Sequence, residues 1–241
     1  MQKVDLLAVG VHPDDVELSC CGTLLGQIEK GVQVGLLDLT RGELGSRGSA
    51  EIRDAEAAAA AKALGVAFRH QLDLGDGVFE NNHSSRLQII RVLRACRPEV
   101  VLCNAPHDRH PDHGRAARLV ADAVFYSGLR KIQTLDQQGK EQEAWRPRAL
   151  YHYIQDYNLK PDFLIDITPY MQRKMEIIKL YASQFYRPDA EGEPETPISS
   201  KTFLEFVRAK AMAYGRQAGY TYAEGFITSR PPGVRNLLDL D

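Results

Sequence analysis

The sequence predicts an α/β chain with a Rossmann-like three-layer fold and a mostly parallel sheet. Three features lead there. Apolar runs of strand length alternate with amphipathic stretches of helix length, and Gly31, Gly65 and Pro98 punctuate their joints. The chain has 241 residues, 44% hydrophobic and 26% charged, enough to bury a core on both faces of a sheet. No internal repeat or clean linker divides it, so residues 1–241 read as a single domain.

In chain order, Val4 to Val11 is a β-rich run, and Val16 to Lys30 carries apolar residues at helical spacing until Gly31 stops it. Val32 to Leu39 is the second strand. Ala50 to Leu64 is a helix closed by Gly65, its Ala57 to Ala61 run having the highest helix propensity available. Phe68 to Leu74 follows as a strand, the polar stretch Gly75 to Ser84 as a loop, and Arg86 to Cys96 as a helix ended by Pro98. Glu99 to Asn104 is the fourth strand, and the loop Ala105 to Asp112 opens a helix from His113 to Tyr126. Beyond Trp145 the rhythm loosens. Leu150 to Gln155 and Phe163 to Ile167 read as strands, Pro169 to Ser183 and Lys201 to Ala218 as helices, and a short strand-like piece lies near Phe226. Between them, Arg187 to Ser200 is rich in Pro, Glu, Gly and Ser without an apolar period, which suits a lid, a subunit contact or a plain surface loop.

Composition excludes several classes of function. The balance of 30 basic and 32 acidic residues, with no Lys/Arg cluster, argues against a nucleic-acid partner. The N-terminal apolar run ends at His12, short of the ~20 residues a spanning helix requires and without a small-residue cleavage site, so no membrane partner or export is expected. Four cysteines, Cys20, Cys21, Cys96 and Cys103, make no disulfide framework, which fits a reducing cytoplasm.

Chemistry concentrates in two loops, His12-Pro13-Asp14-Asp15 after strand one and His107 to His113 after strand four. In an open sheet of order 3-2-1-4 these strands are neighbours at the topological switch point, so both loops face one crevice. Gly10 is followed by His12 and Pro13 rather than by G-x-G-x-x-G, which disfavours a nicotinamide or flavin cofactor. Two histidines and a carboxylate with one position open to water are what a hydrolytic zinc site uses, because the cation lowers the pKa of water to about 7. His12, Asp15 and His113 are the candidate ligands, for Zn²⁺ or for Fe²⁺, which accepts the same three. Hydrolysis also needs a base, and Asp14 stands beside the ligand Asp15. Two other classes stay open: an iron(II) oxygenase with the same facial triad, and a metal-dependent sugar-binding module in which Asp14 has no chemical work.

These motifs, with Thr40-Arg41-Gly42-Glu43, Arg53-Asp54-Ala55-Glu56, Asp108-Arg109-His110-Pro111-Asp112-His113 and Tyr222-Ala223-Glu224-Gly225-Phe226, resemble the LmbE-like (PIG-L) family of zinc-dependent N-acetylglucosamine deacetylases. The likeness runs along nearly the whole chain and is strongest to the bacillithiol-pathway branch. It implies removal of acetate from N-acetylglucosaminyl L-malate, a small-molecule sugar conjugate, or, as the alternative, from another N-acetylglucosaminyl compound such as diacetylchitobiose or a different thiol-cofactor precursor. It implies the metal on the residues matching His12, Asp15 and His113, Asp14 as general base, and a cationic His110 at the oxyanion, with Asp112 orienting and charging that imidazole. It places Glu43 and Ser19 near the sugar, and it implies a homo-oligomer, often a hexamer. Asp108 stands where a mycothiol-type relative has a tyrosine, which favours the bacillithiol branch. Arg53 and Arg109 are the candidates for holding the malate carboxylates, since a guanidinium fork binds them bidentately. The bland alternative for Arg53 is a surface ion pair with Asp54 or Glu56. His70, His83, His107 and His152 lack a spaced partner and read as core or surface residues, and Cys20, Cys21 and Cys103 as packing.

Overall fold

The computed structural model describes residues 1–186 and 194–239. Seven strands, β1 (Leu6–Gly10), β2 (Val34–Asp38), β3 (Phe68–Gln71), β4 (Val100–Asn104), β5 (Ala149–Tyr153), β6 (Phe163–Asp166) and β7 (Ala223–Thr228), form one sheet of order β3-β2-β1-β4-β5-β7-β6. Strands β3 to β5 in that row pair in parallel, and β7 runs antiparallel to both its neighbours. Six helices cover the sheet: α1 (Asp15–Glu29), α2 (Ala50–Leu64), α3 (His83–Cys96), α4 (Pro111–Ser127), α5 (Met171–Ile178) and α6 (Phe203–Ala218).

Strand β1 shows why the apolar runs are continuous. Leu6 and Ala8 enter the core beneath α1, α2, α5 and α6, while Leu7 and Val9 enter the one beneath α3 and α4. A strand buried on both faces has no polar side to alternate with. The first half of the chain follows the predicted elements closely. Helix α2 has the expected limits, with Ser49 capping it through the amide of Ile52 and Gly65 closing it at φ 83°.

The differences have local causes. Helix α3 starts at His83 because Asn82 caps it, accepting from the Ser85 amide. Helix α4 starts at Pro111, a residue suited to a first helical turn, which leaves His110 as the cap. The helix predicted over Pro169 to Ser183 is a 3₁₀ turn at Thr168–Tyr170 followed by α5, which ends at Ile178. Beyond it the chain bends through turns that bury Tyr181 and Phe185, so tertiary packing overrides the helical period. The strand near Phe226 is β7, inserted between β5 and β6. Of the segment Arg187 to Ser200, residues 187–193 lie outside the described residues, and its role as lid or contact stays an expectation. Among the described residues no helix is long and apolar enough to cross a membrane.

Candidate active site

The order β2-β1-β4 brings the two histidine-rich loops to the same end of the sheet. After β1 the chain turns sharply into α1, and the turn falls on Asp14, whose φ of 116° is unusual for a non-glycine residue. Asp14 makes no capping bond to its own helix, although it occupies the cap position, and its carboxylate lies 3.6 Å from Arg53 Nη2. Burial pushes its pKa up to about 7, with Arg53 opposing the rise and the charges of Asp15 and Glu17 adding to it.

Asp15, the next residue, lives in a different environment. Its Oδ2 accepts from the amides of Val11 and His12 and from Asn104 Nδ2, each at 3.0 Å, and its Oδ1 accepts from Gln155 Nε2 at 2.8 Å. Burial works against its charge, but the neighbouring His113 and His12, with the His12 amide, hold it well below the usual carboxylate range. Two adjacent aspartates therefore divide the work: one kept ionised, the other titrating near neutrality.

His113 lies in the first turn of α4. Its Nε2 is 3.2 Å from Asp15 Oδ1, and its Nδ1 is 2.7 Å from Asp108 Oδ2. A carboxylate on one ring nitrogen fixes the tautomer that leaves the other free for a cation. His12 Nδ1 is 3.7 Å from Asp15 Oδ2, while its Nε2 is 2.9 Å from Asp76 Oδ1. Burial disfavours charge on either imidazole, yet the surrounding carboxylates push His12 up to about 10 and His113 up to about 9. The pocket thus calls for positive charge where imidazole nitrogens converge. Candidate ligand atoms of His12, His110 and His113 all lie within 4.8 Å of one another, as do those of His12, Asp76 and Asp112. His12 is common to both groups. This donor set fits a divalent cation.

His110 faces the same point, its ring centroid 4.7 Å from that of His12 and 5.2 Å from that of His113. The expected Asp112 to His110 carboxylate contact is not formed. The Asp112 carboxylate accepts from the Gly77 amide and from Arg115 Nη1, each at 2.9 Å, and its Oδ2 lies 3.7 Å from His12 Nε2; only the backbone amide of Asp112 donates to His110 Nδ1, at 3.3 Å. Burial and the charges of His12 and His113 lower the His110 pKa, with the charges of Asp112 and Asp15 opposing them.

The four candidates for substrate recognition separate. Arg53 is buried, neither a surface ion pair nor a free fork: Nη1 donates to Gly42 O and Nη2 to Pro13 O, both at 2.8 Å. Gly42 has φ 65°, and a Cβ there would run into the Arg53 guanidinium. Asp54 instead pairs with Arg41, and Glu56 accepts from Ser183. Arg109 pairs with Asp156 but is 40% exposed, so its guanidinium is accessible. Glu43 accepts from the Asp76 and Arg41 amides, tying the loop after β2 to the loop after β3. Ser19 is buried within α1, and its Oγ finds no hydrogen-bond partner among the described residues. It lines a pocket open to solvent, together with Arg109, Gln155, Lys174, Phe203 and Tyr214.

Residues 7–124 match the PIG-L family, whose description is GlcNAc-PI de-N-acetylase. The diacetylchitobiose deacetylase of Thermococcus kodakarensis is 30% identical over 232 residues, 91% of this chain and 81% of that protein. The chain belongs to the PIG-L family. This PIG-L chain is also 26% identical to a probable N-acetyl-α-D-glucosaminyl L-malate deacetylase 2 of Bacillus anthracis, across 75% of this chain and 81% of the other. Its fold superposes on a conserved protein of Thermus thermophilus with a TM-score of 0.84 at 35% identity, covering 97% of this chain and 98% of that one. It is a deacetylase of N-acetylglucosamine-type substrates.

Within this PIG-L site, four residues escape sequence reasoning. Asp76 sits in a loop that reads only as polar, Asn104 and Gln155 lie at the ends of β4 and β5, and Asp108 stands out only as a missing tyrosine. For Asp108 a signal exists, a carboxylate five positions before a candidate ligand and inside its motif. The others meet the site through contacts remote in sequence. Of the histidines that read as structural, His152 is buried between Cys103 Sγ and Asn104 O, and His107 packs on Tyr157.

Proposed function

We propose that this chain is a divalent-metal-dependent hydrolase of the N-acetyl group of N-acetylglucosaminyl disaccharides of the diacetylchitobiose kind. The observation that carries the hydrolytic reading is Asp14: a buried carboxylate, free of capping duty, with a pKa near 7 beside an ionised Asp15. His12, Asp15 and His113 would hold the metal, zinc or ferrous iron, which supplies acidification of water and polarisation of the amide carbonyl.

The chain's own groups do the rest. Asp14 takes a proton from the attacking water and returns it to the departing amine. His110, whose ring stands beside those of His12 and His113, stabilises the negative charge on the former carbonyl oxygen. Asp108 and Asp76 hold the rings of His113 and His12 in place, and Arg53 ties the turn before Asp14 to the loop after β2 through Pro13 O and Gly42 O.

The choice of a neutral sugar follows from the arginines. Arg53 has spent its fork on backbone carbonyls, which leaves the malate conjugate one guanidinium, that of Arg109. The malate conjugate is the second reading, favoured by the exposure of Arg109 at the pocket edge. Acetate release from diacetylchitobiose, the malate conjugate and free N-acetylglucosamine, by protein loaded with zinc or ferrous iron, separates them. The disaccharide is expected to turn over fastest. Preference for the malate conjugate that vanishes in Arg109→Ala establishes the second reading, and acetate from none of them overturns both. Oxygen-independent turnover removes the oxygenase alternative.

A further inference from the structure

Helix α6 lines the pocket beside the site, and one of its side chains, Lys210, reaches the loop after β5. Lys210 Nζ lies 2.6 Å from Gln155 O, 2.7 Å from Asp156 O and 2.9 Å from Tyr157 O, so each of its three protons meets a carbonyl of three successive residues. It is half-buried and makes no ion pair among the described residues. A solvated surface lysine makes no such tripod; this one gives up water and rotamer freedom to fix a loop.

What the loop does explains why it is fixed. The amides of Asp156 and Tyr157 donate to Asp108 Oδ1, at 3.2 and 3.0 Å, and Asp108 Oδ2 is 2.7 Å from His113 Nδ1. The Gln155 side chain donates to Asp15 Oδ1 at 2.8 Å. With its carbonyls pinned to Lys210, the segment presents two amides to the partner of one candidate ligand and a carboxamide to the other candidate ligand itself.

We infer that Lys210 is a positioning residue for the metal site, setting the orientation of His113 through Asp108 and of Asp15 through Gln155. The inference rests on the reading of Asp15 and His113 as ligands. Partners that orient metal ligands typically contribute about 10- to 100-fold in metal affinity.

The test uses the full chain with Lys210→Met, and Lys210→Gln if the first variant does not fold. Zinc affinity is measured against a competing chelator, the visible spectrum of the cobalt-substituted protein is recorded, and kcat and KM are measured separately. The expected result is zinc binding weakened by about 10-fold or more, an altered cobalt spectrum and a fall in kcat with KM nearly unchanged. In an Asp108→Asn background the same substitution should cost less, because part of its route is already cut. Zinc affinity and cobalt spectrum unchanged within two-fold, even with a lowered melting temperature, would show a purely structural lysine and overturn the inference. Failure of the site reading itself shows elsewhere, as parent protein that binds no zinc.

Discussion

The half of the sheet built from β3, β2, β1 and β4 sends the candidate metal-binding and catalytic groups to the site, with Asn104, Asp108 and Asp76 among their supports, whereas the half built from β5, β7 and β6 sends supporting hydrogen bonds alone. His12, Asp14 and Asp15 follow β1, Asp76 follows β3, and His110, Asp112 and His113 follow β4. From the other half come Gln155, the Lys210 tripod, and Tyr153, whose hydroxyl donates to Val9 O at 2.8 Å. Glu224 on β7 also belongs to the second half: it accepts from the amides of Gly22 and Thr23 within α1 and from the buried Lys174. Reactive groups must be close together, so short motifs can deliver them. Orientation is supplied from any distance along the chain, here from 5 residues away for Asp108 and His113 to 140 for Gln155 and Asp15.

That division makes separable predictions. The largest effect is expected at Glu224→Gln, which leaves Lys174 buried without its counter-charge and should lower stability by about 3–5 kcal/mol. Chemical denaturation reads the loss, while activity per folded molecule stays within a few-fold; abolished activity in the folded variant would place Glu224 with the reactive half. Asp14→Asn is expected to reduce kcat by at least ~100-fold with metal content unchanged. Loss of the metal would make Asp14 a ligand.

Two pH effects follow from Asp14. Activity needs its ionised form, so kcat/KM should rise with pH and level off above about 7. Stability runs the other way. The folded pKa of about 7 exceeds the ordinary 3.8, so metal-free folded protein keeps a proton that the unfolded chain has lost, and stability falls as pH rises across that window. A rise of this size bounds the effect at about 4 kcal/mol, so metal-free Asp14→Asn should be the more stable protein at about pH 8, most plainly by denaturant titration. Equal stabilities would place Asp14 in a wetter site than its burial implies. The smallest effect is expected at Gln155→Leu, about 10-fold in zinc affinity with kcat little altered; a complete loss of zinc would move β5 into the reactive half.

The donor half was also the legible half. Strands β1, β2 and β4 are short apolar runs, β1 and β2 covered on both faces, and the helices that follow β1 to β3 stop near Gly31, Gly65 and Pro98, so order and switch point could be read from local signals. His12, Asp14, Asp15, His110 and His113 announce themselves by residue type and crowding. Arg53 illustrates the limit: its sequence neighbours Asp54 and Glu56 suggest an exposed pair, whereas its guanidinium lies in the room left by the missing side chain of Gly42 and donates to that residue's carbonyl. Strand β7 carries no local sign that it will part β5 from β6, because its pairing is decided by residues far back along the chain, Tyr151 to Tyr153 and Phe163 to Asp166. Lys210 looks like any helical lysine until the three carbonyls around it are seen.

The insertion of β7 has a consequence for how the protein is made. Strands β5 and β6 are joined in the sheet only through residues that leave the ribosome after both of them. A nascent chain released only as far as α6 would hold its histidines and aspartates but keep two raw sheet edges and no Glu224 to seat α1, a sticky intermediate that synthesis of the last strand resolves.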